Sequence, residues 1–256
     1  MHSSPTNAAV LITMPHSHYA EKARWALDYL ALPYVERPQL PLFHRFATRP
    51  HGGTSVPVLV HGGRTCTDSS AILLWADEAA GGGVLFPRDE AVRSDVLMLE
   101  EQFDKVLGPH TRRWGYAQLL KRRDIIATMV TRSVPREQAR WAPFVIPVFM
   151  PLVKRAFDIT PETTVRSRDR IDAVFEEVGR RLADGRPFLL GERFSAADLA
   201  FAALSAPELL PPQCPAYPPL PDLPAAMQDG VERWRATDAG GFGLAMYARW
   251  RCAERQ

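Results

Sequence analysis

Strand-like segments are confined to the first 67 residues of this 256-residue chain, and that asymmetry limits the folds it can adopt more than any other feature. Short runs of strand length are predicted at 8–13, 33–36, 56–60 and 65–67. Helical spacing of apolar residues predicts a helix at 18–31 and another from residue 68 or 69 to residue 79. The predicted order is therefore β-α-β-(α)-β-β-α, followed by helical patterns alone.

The turn between the third and fourth strands reads His61-Gly-Gly-Arg64, and two adjacent glycines allow the positive φ angles of a tight hairpin. A crossover pair followed by a hairpin and a helix is the thioredoxin-type arrangement. The segment 85–89 is predicted to be a linker, because strands precede it and helices follow it. We expect an α/β thioredoxin-like domain over residues 1–86 and an all-α domain over residues 87–256.

Helices of the second domain are predicted at 90–120, 161–183, 195–206, 224–237 and 242–252. No secondary structure is assigned to the segment 133–160, because Pro143, Pro147 and Pro151 would break a long helix. Ser195 and Asp198 have the spacing of a capping box, so a helix is expected to begin there.

Composition argues against several classes of protein. The formal net charge of +2 gives no reason to expect a nucleic-acid partner, and Arg112-Arg113 is interpreted as part of a solvated helix face. The apolar residues 8–14 are too short for a signal peptide, and the apolar tract 142–153 is too short and too interrupted to span a membrane. Three scattered cysteines form no metal-type cluster. These features predict a soluble, cytoplasmic protein.

Val56-Pro57 stands at the start of a strand that should be central in the sheet. Proline cannot donate to a strand ladder, so it belongs at a strand start or an edge. Proline also permits a cis peptide bond at low cost. A cis bond would turn the backbone N–H and C=O of Val56 outward, where they could pair with an extended peptide. An ordinary trans proline at a strand entry is the alternative.

Asp68-Ser69 opens a helix directly after the hairpin. Free N–H groups at a helix N-terminus, with a serine hydroxyl, bind a carboxylate well, and an acidic neighbour could hold an ammonium group. A ligand with an α-amino acid head group fits both. Simple N-capping by Asp68 or Ser69 is the alternative.

Ser17 falls between the first strand and the first helix. A hydroxyl there can donate a hydrogen bond to a thiolate, and the helix dipole adds to the stabilisation. A role as an ordinary helix cap is the alternative.

Together these segments resemble the glutathione transferase superfamily, in its cytosolic, serine-type, bacterial-like form. The resemblance rests on the strand, the S-x-x-A turn, the helix beginning EKARWAL, then VPVL and DSSAI, and it extends to the capping element of the second domain. It implies that Val56, Pro57, Asp68 and Ser69 bind glutathione and that Ser17 activates its sulfur.

The resemblance also suggests further site residues. His44 lies in the segment that borders the glycyl carboxylate in the family, and the resemblance places the electrophile pocket near the first long helix of the second domain. The residues assigned to electrophile binding are His16, Tyr19, Trp114 and Tyr116. No metal site is expected, because His16 and His18 lack an obvious third ligand.

The resemblance implies a glutathione transferase, acting in detoxification, that uses glutathione as co-substrate against a small apolar electrophile. It also implies a homodimer. Two alternatives stay open at this stage. One is a non-catalytic protein of the same fold that binds glutathione or a hydrophobic ligand, or serves as a scaffold. The other is a glutathione-dependent isomerase or dehalogenase that uses the same site.

Overall fold

The first part of the chain forms a small sheet with helices packed on it, in the predicted order. The computed structural model describes residues 8–132, 134–214 and 216–251. A short 3₁₀ turn at Arg49–His51 follows the second helix. The elements up to residue 79 are β1 (Ala9–Thr13), α1 (His18–Tyr29), β2 (Tyr34–Pro38), α2 (Phe43–Thr48), β3 (Val58–His61), β4 (Arg64–Cys66) and α3 (Ser69–Ala79).

The four strands lie in the order β2-β1-β3-β4. β1 runs parallel to β2 and antiparallel to β3, with Leu11 opposite Leu59. β3 and β4 form the predicted hairpin, in which Gly62 and Gly63 both have positive φ, at 54° and 81°. The thioredoxin-like fold is confirmed.

The rest of the described chain is helical. A π-helical turn, Phe103–Leu107, joins the first two helices of this part. The predicted domain boundary, between residues 86 and 87, falls in the segment that joins α3 to the next helix. The helices are α4 (Glu90–Gln102), α5 (Gly108–Leu119), α6 (Arg123–Thr131), α7 (Arg136–Ala139), α8 (Ala142–Ala156), α9 (Pro161–Leu182), α10 (Ala196–Leu204), α11 (Ala206–Leu209), α12 (Ala225–Arg235) and α13 (Asp238–Met246).

The proline-rich segment differs from the sequence-based expectation. α8 continues for 15 residues through Pro147 and Pro151. Pro143 stands in its first turn, where no intrahelical N–H bond is lost. The three prolines are spaced by four residues and occupy the exposed face, while Ile146 and Phe149 are buried on the other face. Packing of the apolar face therefore holds a helix that local propensity alone would break.

The predicted capping box at the start of α10 is present. The Asp198 carboxylate accepts hydrogen bonds from the backbone N–H groups of Ser195 and Leu189, both at 2.8 Å. These bonds satisfy donors that a buried helix start would otherwise leave unpaired.

One of the hydrophobic clusters spans both domains. Trp25 and Leu27 of α1 belong to the same buried cluster as Leu199 and Ala203 of α10 and Tyr247 near the end of the described chain. The domains are therefore packed as a unit around α1. In the part of the chain that the structure describes, no helix has both the length and the apolar character needed to cross a bilayer.

Candidate functional site

A cavity of about 430 Å³ lies between the two domains. The first domain contributes the loop after β1, the start of α1, part of α2 and the residues just before Pro57. The second domain contributes α5 and the C-terminal half of α8. The cavity therefore brings together segments that are far apart in sequence.

Ser17 borders this cavity and is the N-cap of α1. Its Oγ accepts a hydrogen bond from the backbone N–H of Ala20 at 3.3 Å. A serine hydroxyl can accept and donate at once. Within the described residues the Ser17 O–H donates to no acceptor, so its proton is available to a group in the cavity.

Val56 also borders the cavity, and the peptide bond between Val56 and Pro57 is cis. The backbone N–H and C=O of Val56 form no hydrogen bond with any other described residue. Pro57 itself does not line the cavity. An unpaired donor and acceptor on one residue at a cavity wall are what an extended peptide ligand requires.

The N-terminus of α3 lies apart from the cavity lining. Asp68 is the N-cap, and its Oδ1 accepts from the N–H of Ala71 at 2.8 Å. Ser69 is buried, and its hydroxyl donates to Oδ1 of Asp104 at 3.3 Å. Neither Asp68 nor Ser69 borders the cavity, so the predicted glutathione-binding residues divide between the cavity and this helix end.

His16 and Tyr116 meet inside the cavity, where His16 Nε2 lies 2.9 Å from the Tyr116 hydroxyl. Burial, and secondarily the charge of Arg24, lowers the pKa of His16 to about 4. Burial raises the pKa of Tyr116. The pair is therefore neutral at physiological pH and offers a hydrogen bond without a net charge.

His44 and Tyr19 complete the predicted residues on the cavity wall. Burial lowers the pKa of His44 to about 4, and its Nδ1 has no hydrogen-bond partner. The Tyr19 hydroxyl donates to the backbone oxygen of Asp104 at 2.9 Å. A Cβ on Gly108 would collide with this hydroxyl, so glycine allows α5 to approach α1 closely.

Trp114 does not line the cavity, although it was expected to bind the electrophile. It is buried in the helical core, where its ring packs edge-on against Trp234 with the centroids 4.7 Å apart. Arg112 and Tyr116 of the same helix do face the cavity. Residues four apart share a helix face, and a residue midway between them points to the opposite side.

The prediction that Arg112 belongs to a solvated helix face is therefore wrong. It borders the cavity, with its guanidinium carbon 4.1 Å from the centroid of the Phe157 ring. Arg113 is half-buried and donates to the backbone oxygen of Phe157 at 2.6 Å. The i,i+4 spacing from Tyr116 is the sequence signal that could have identified Arg112 as a cavity residue.

A second, smaller cavity of about 50 Å³ adjoins the first. The two share His16, His18, Arg112 and Tyr116 as lining residues, and most of the remaining lining of the inner one is apolar. The Nε2 of His18 lies 3.1 Å from the Gly108 backbone oxygen, and burial lowers the His18 pKa to about 3. Among the described residues, no group of three or more metal-ligating side chains occurs.

The fold and this cavity together define a class of protein in which a thioredoxin-like domain and a helical domain enclose a common cleft. A model of the glutathione S-transferase N-terminal domain matches residues 11–83, and a model of the C-terminal domain matches residues 150–204, which together make up half of the chain. The chain belongs to the glutathione S-transferase superfamily.

Solved structures show the same fold at low sequence identity. The β-etherase LigF of Sphingobium is 16% identical with a TM-score of 0.60, and the match covers 93% of this chain and 99% of that one. The glutathione transferase GSTFuA3 of Phanerochaete chrysosporium is 13% identical with a TM-score of 0.62, covering 96% and 98%. A glutathione S-transferase-I bound to lactoylglutathione is 16% identical with a TM-score of 0.55, covering 93% and 99%. No curated protein sequence matches this chain.

Proposed function

We propose that this protein is a glutathione transferase that holds glutathione as a thiolate for attack on an apolar electrophile. The observation that carries the proposal is Ser17, which borders the cavity and whose hydroxyl proton is uncommitted among the described residues. The class of reaction is addition or substitution at carbon. The glutathione sulfur forms the new bond, and either a leaving group departs or a double bond accepts the electron pair.

The tripeptide would be held along its backbone. The N–H and C=O of Val56 pair with the cysteinyl unit, as in the addition of a strand to a sheet edge. The backbone N–H groups of Ser69 and Ser70 at the N-terminus of α3, which have no partner among the described residues, would receive the γ-glutamyl carboxylate, and Asp68 would face the ammonium group. His44, which is neutral and has an unpartnered Nδ1, would donate to the glycyl carboxylate. Pro57 contributes by fixing the bend at Val56.

The energy needed for thiol activation is modest. A free thiol has a pKa of about 8.5, and lowering it by about two units corresponds to roughly 2.7 kcal/mol. A hydrogen bond to a charged group contributes about 1.5–3 kcal/mol, and a helix N-terminus adds about 0.3–1 kcal/mol. Ser17 at the start of α1 supplies both.

The electrophile would occupy the part of the cavity formed by the helical domain. Phe149, Val153 and Phe157 give this side an apolar wall, and Tyr116 and His16 supply its hydrogen-bonding groups. Proximity to the bound thiolate then contributes to the rate beyond the lowered pKa. We also propose that the protein is a homodimer and that it acts in the cytoplasm.

Cys66 and Cys214 are buried free thiols, and Cys252 lies outside the described residues.

Ser17→Ala tests this function. The variant should raise the pKa of the bound thiol by about two units and lower kcat/KM toward chlorodinitrobenzene roughly 10- to 100-fold at neutral pH. The thiol pKa is read from thiolate absorbance in the enzyme–glutathione complex. Retention on immobilised glutathione should persist, because Val56 and α3 are unchanged.

Thr237→Ala is the matched control, because Thr237 is also an N-cap whose hydroxyl accepts a backbone N–H, from Gly240 at 3.0 Å, but it does not border the cavity. Its stability should fall and its activity should persist. Retention on glutathione without turnover, unaffected by Ser17→Ala, would instead favour a binding or scaffold protein.

A further inference from the structure

Arg112 occupies an unusual position for a charged residue. It borders the main cavity and the inner cavity at their junction. Its guanidinium carbon lies over two aromatic rings, 4.1 Å from the centroid of Phe157 and 5.8 Å from that of Tyr19. Its Nε is buried without a hydrogen-bond partner, and no other described residue forms a hydrogen bond or an ion pair with this side chain.

Two other half-buried arginines, Arg24 and Arg251, are paired with carboxylates. Arg24 donates to Glu21 and Glu36, and Arg251 donates to Glu21 and Asp28. A guanidinium removed from water is costly unless a carboxylate or an equivalent acceptor compensates it. Arg112 is thus a packed cation whose counterpart does not come from the described part of the chain.

The surroundings of Arg112 are free of negative charge. No Asp or Glu belongs to the lining of either cavity. His16 and His18 are neutral neighbours, and Arg45 and Arg155 add positive charge where the main cavity meets solvent. The site is therefore electropositive and has a large apolar wall, which suits a molecule with an apolar body and one acidic group.

We propose that Arg112 binds a carboxylate on the electrophile, so that the preferred substrates are acidic aryl or alkyl electrophiles rather than neutral ones. This inference rests on the proposed transferase function. The planar guanidinium suits a carboxylate, with which it can form two parallel hydrogen bonds. Cation–π contacts with the Phe157 and Tyr19 rings help to hold the guanidinium in place, and the His16–Tyr116 pair supplies further hydrogen bonding nearby.

The electrophile, and not glutathione, is the expected partner of Arg112. Glutathione is assigned to Ser17, Val56 and the start of α3, which all belong to the first domain. Arg112 lies on α5 of the helical domain and opens onto the inner cavity, whose lining includes Leu119, Ile126 and Met129. The electrophile would thus be held at its acidic group where the two cavities meet, with its apolar part against Phe149, Val153 and Phe157 in the main cavity.

The test compares β-benzoylacrylate with its neutral primary amide. In either molecule the thiolate sulfur adds to an alkene carbon, the π electrons move to the conjugated carbonyl oxygen, and a proton from water restores the carbonyl. No other reactant is needed. The wild-type protein should have a KM for the acid about 10- to 100-fold below that for the amide.

Arg112→Met should abolish this preference, by raising the KM of the acid and leaving that of the amide and of glutathione within about twofold of wild type. Arg112→Lys should restore part of the preference, because it keeps the charge but loses the planar fork. Arg123→Met removes a positive charge from an exposed position outside both cavities and should leave the preference intact.

Equal KM values for acid and amide in the wild-type protein would overturn the proposal, as would an equal loss of both in Arg112→Met. Calorimetric binding of the unreactive β-benzoylpropionate and its amide gives a readout that does not depend on turnover. If the acid binds through Arg112 but no electrophile is conjugated, the proposed transferase function is wrong and the proposed carboxylate site is supported. If conjugation occurs without a preference for the acid, the carboxylate site is wrong and the transferase function is supported.

Discussion

At the scale of single residues, the cavity is distinguished by imidazoles that burial keeps neutral. The pKa of His16 is lowered to about 4 and that of His18 to about 3, in both cases chiefly by burial. One nitrogen of each ring is within hydrogen-bonding distance of a partner. The partner of His16 is the Tyr116 hydroxyl, and that of His18 is the Gly108 backbone oxygen. A positively charged ring at either place would stand close to Arg24 or Arg112, so protonation would oppose the folded state.

The stability of the protein should therefore depend on pH below neutrality. In the unfolded chain these histidines titrate near 6.5, above their folded pKa values, so the unfolded state takes up protons first as the pH falls. The part of the free energy of unfolding that comes from these two histidines should decrease between about pH 6.5 and pH 4, by up to about 1.4 kcal/mol per pH unit for each. Burial raises the pKa of Asp198 to about 6, so this carboxyl acts in the opposite direction, and the histidine contribution is measured as a difference between variants.

Urea unfolding at a series of pH values measures this dependence. His16→Gln keeps a hydrogen-bonding group near Tyr116 but cannot titrate, so its slope in that window should be shallower than that of the wild type. Adding His18→Gln should flatten it further. Identical slopes in all three proteins would show that neither ring is held neutral.

At the scale of elements, α8 shows how packing overrules local propensity. Proline lacks an N–H and its ring collides with the preceding turn, so an interior proline costs about 3 kcal/mol relative to alanine. Pro147 and Pro151 are interior, yet the helix runs from Ala142 to Ala156. Its buried face, which includes Phe149, joins the helical core and offsets this cost.

Pro147→Ala should consequently stabilise the protein. The variant restores an N–H that can donate to the Pro143 carbonyl, but it also frees the unfolded chain, so the net gain should be about 1–2 kcal/mol. Urea unfolding gives the difference. Pro143→Ala is the matched control, because a proline in the first turn costs no hydrogen bond, and it should change stability far less. A loss of stability in Pro147→Ala would contradict this account.

At the scale of the whole molecule, a buried ionic cluster joins the domains. Lys22 of α1 is fully buried, and its Nζ contacts the carboxylates of Glu100 and Asp104 in the helical domain. Ser69 and Ser70 at the start of α3 donate to the same two carboxylates. The helix end assigned to the γ-glutamyl group is therefore positioned from across the domain interface.

Removing the cation should destabilise the molecule more than removing the pair. Lys22→Met leaves two carboxylates without their cation, and we expect a loss of about 3–5 kcal/mol in the free energy of unfolding. The double variant Lys22→Met/Glu100→Leu should recover part of it, since fewer uncompensated charges remain buried. A double variant no more stable than Lys22→Met alone would argue against charge compensation as the cause.

The same variants test the link to glutathione. If Asp104 orients Ser69, then Lys22→Met should raise the KM for glutathione while leaving that for the electrophile little changed, as measured at a temperature where the variant is folded. Equal KM values for glutathione in the variant and the wild type would show that the ionic cluster does not influence glutathione binding.

The sequence by itself determined what depends on neighbours along the chain. Strand and helix order, the Gly62-Gly63 hairpin, the caps at Ser17 and Ser195, and the place of Val56-Pro57 follow from periodicity and from residues with strong local preferences. Only the tertiary structure decided which helix faces are covered. Arg112 looked solvent-facing, Trp114 looked like a cavity residue, and α8 looked broken, because burial is set by contacts between segments that lie far apart in sequence and not by the pattern of any one of them.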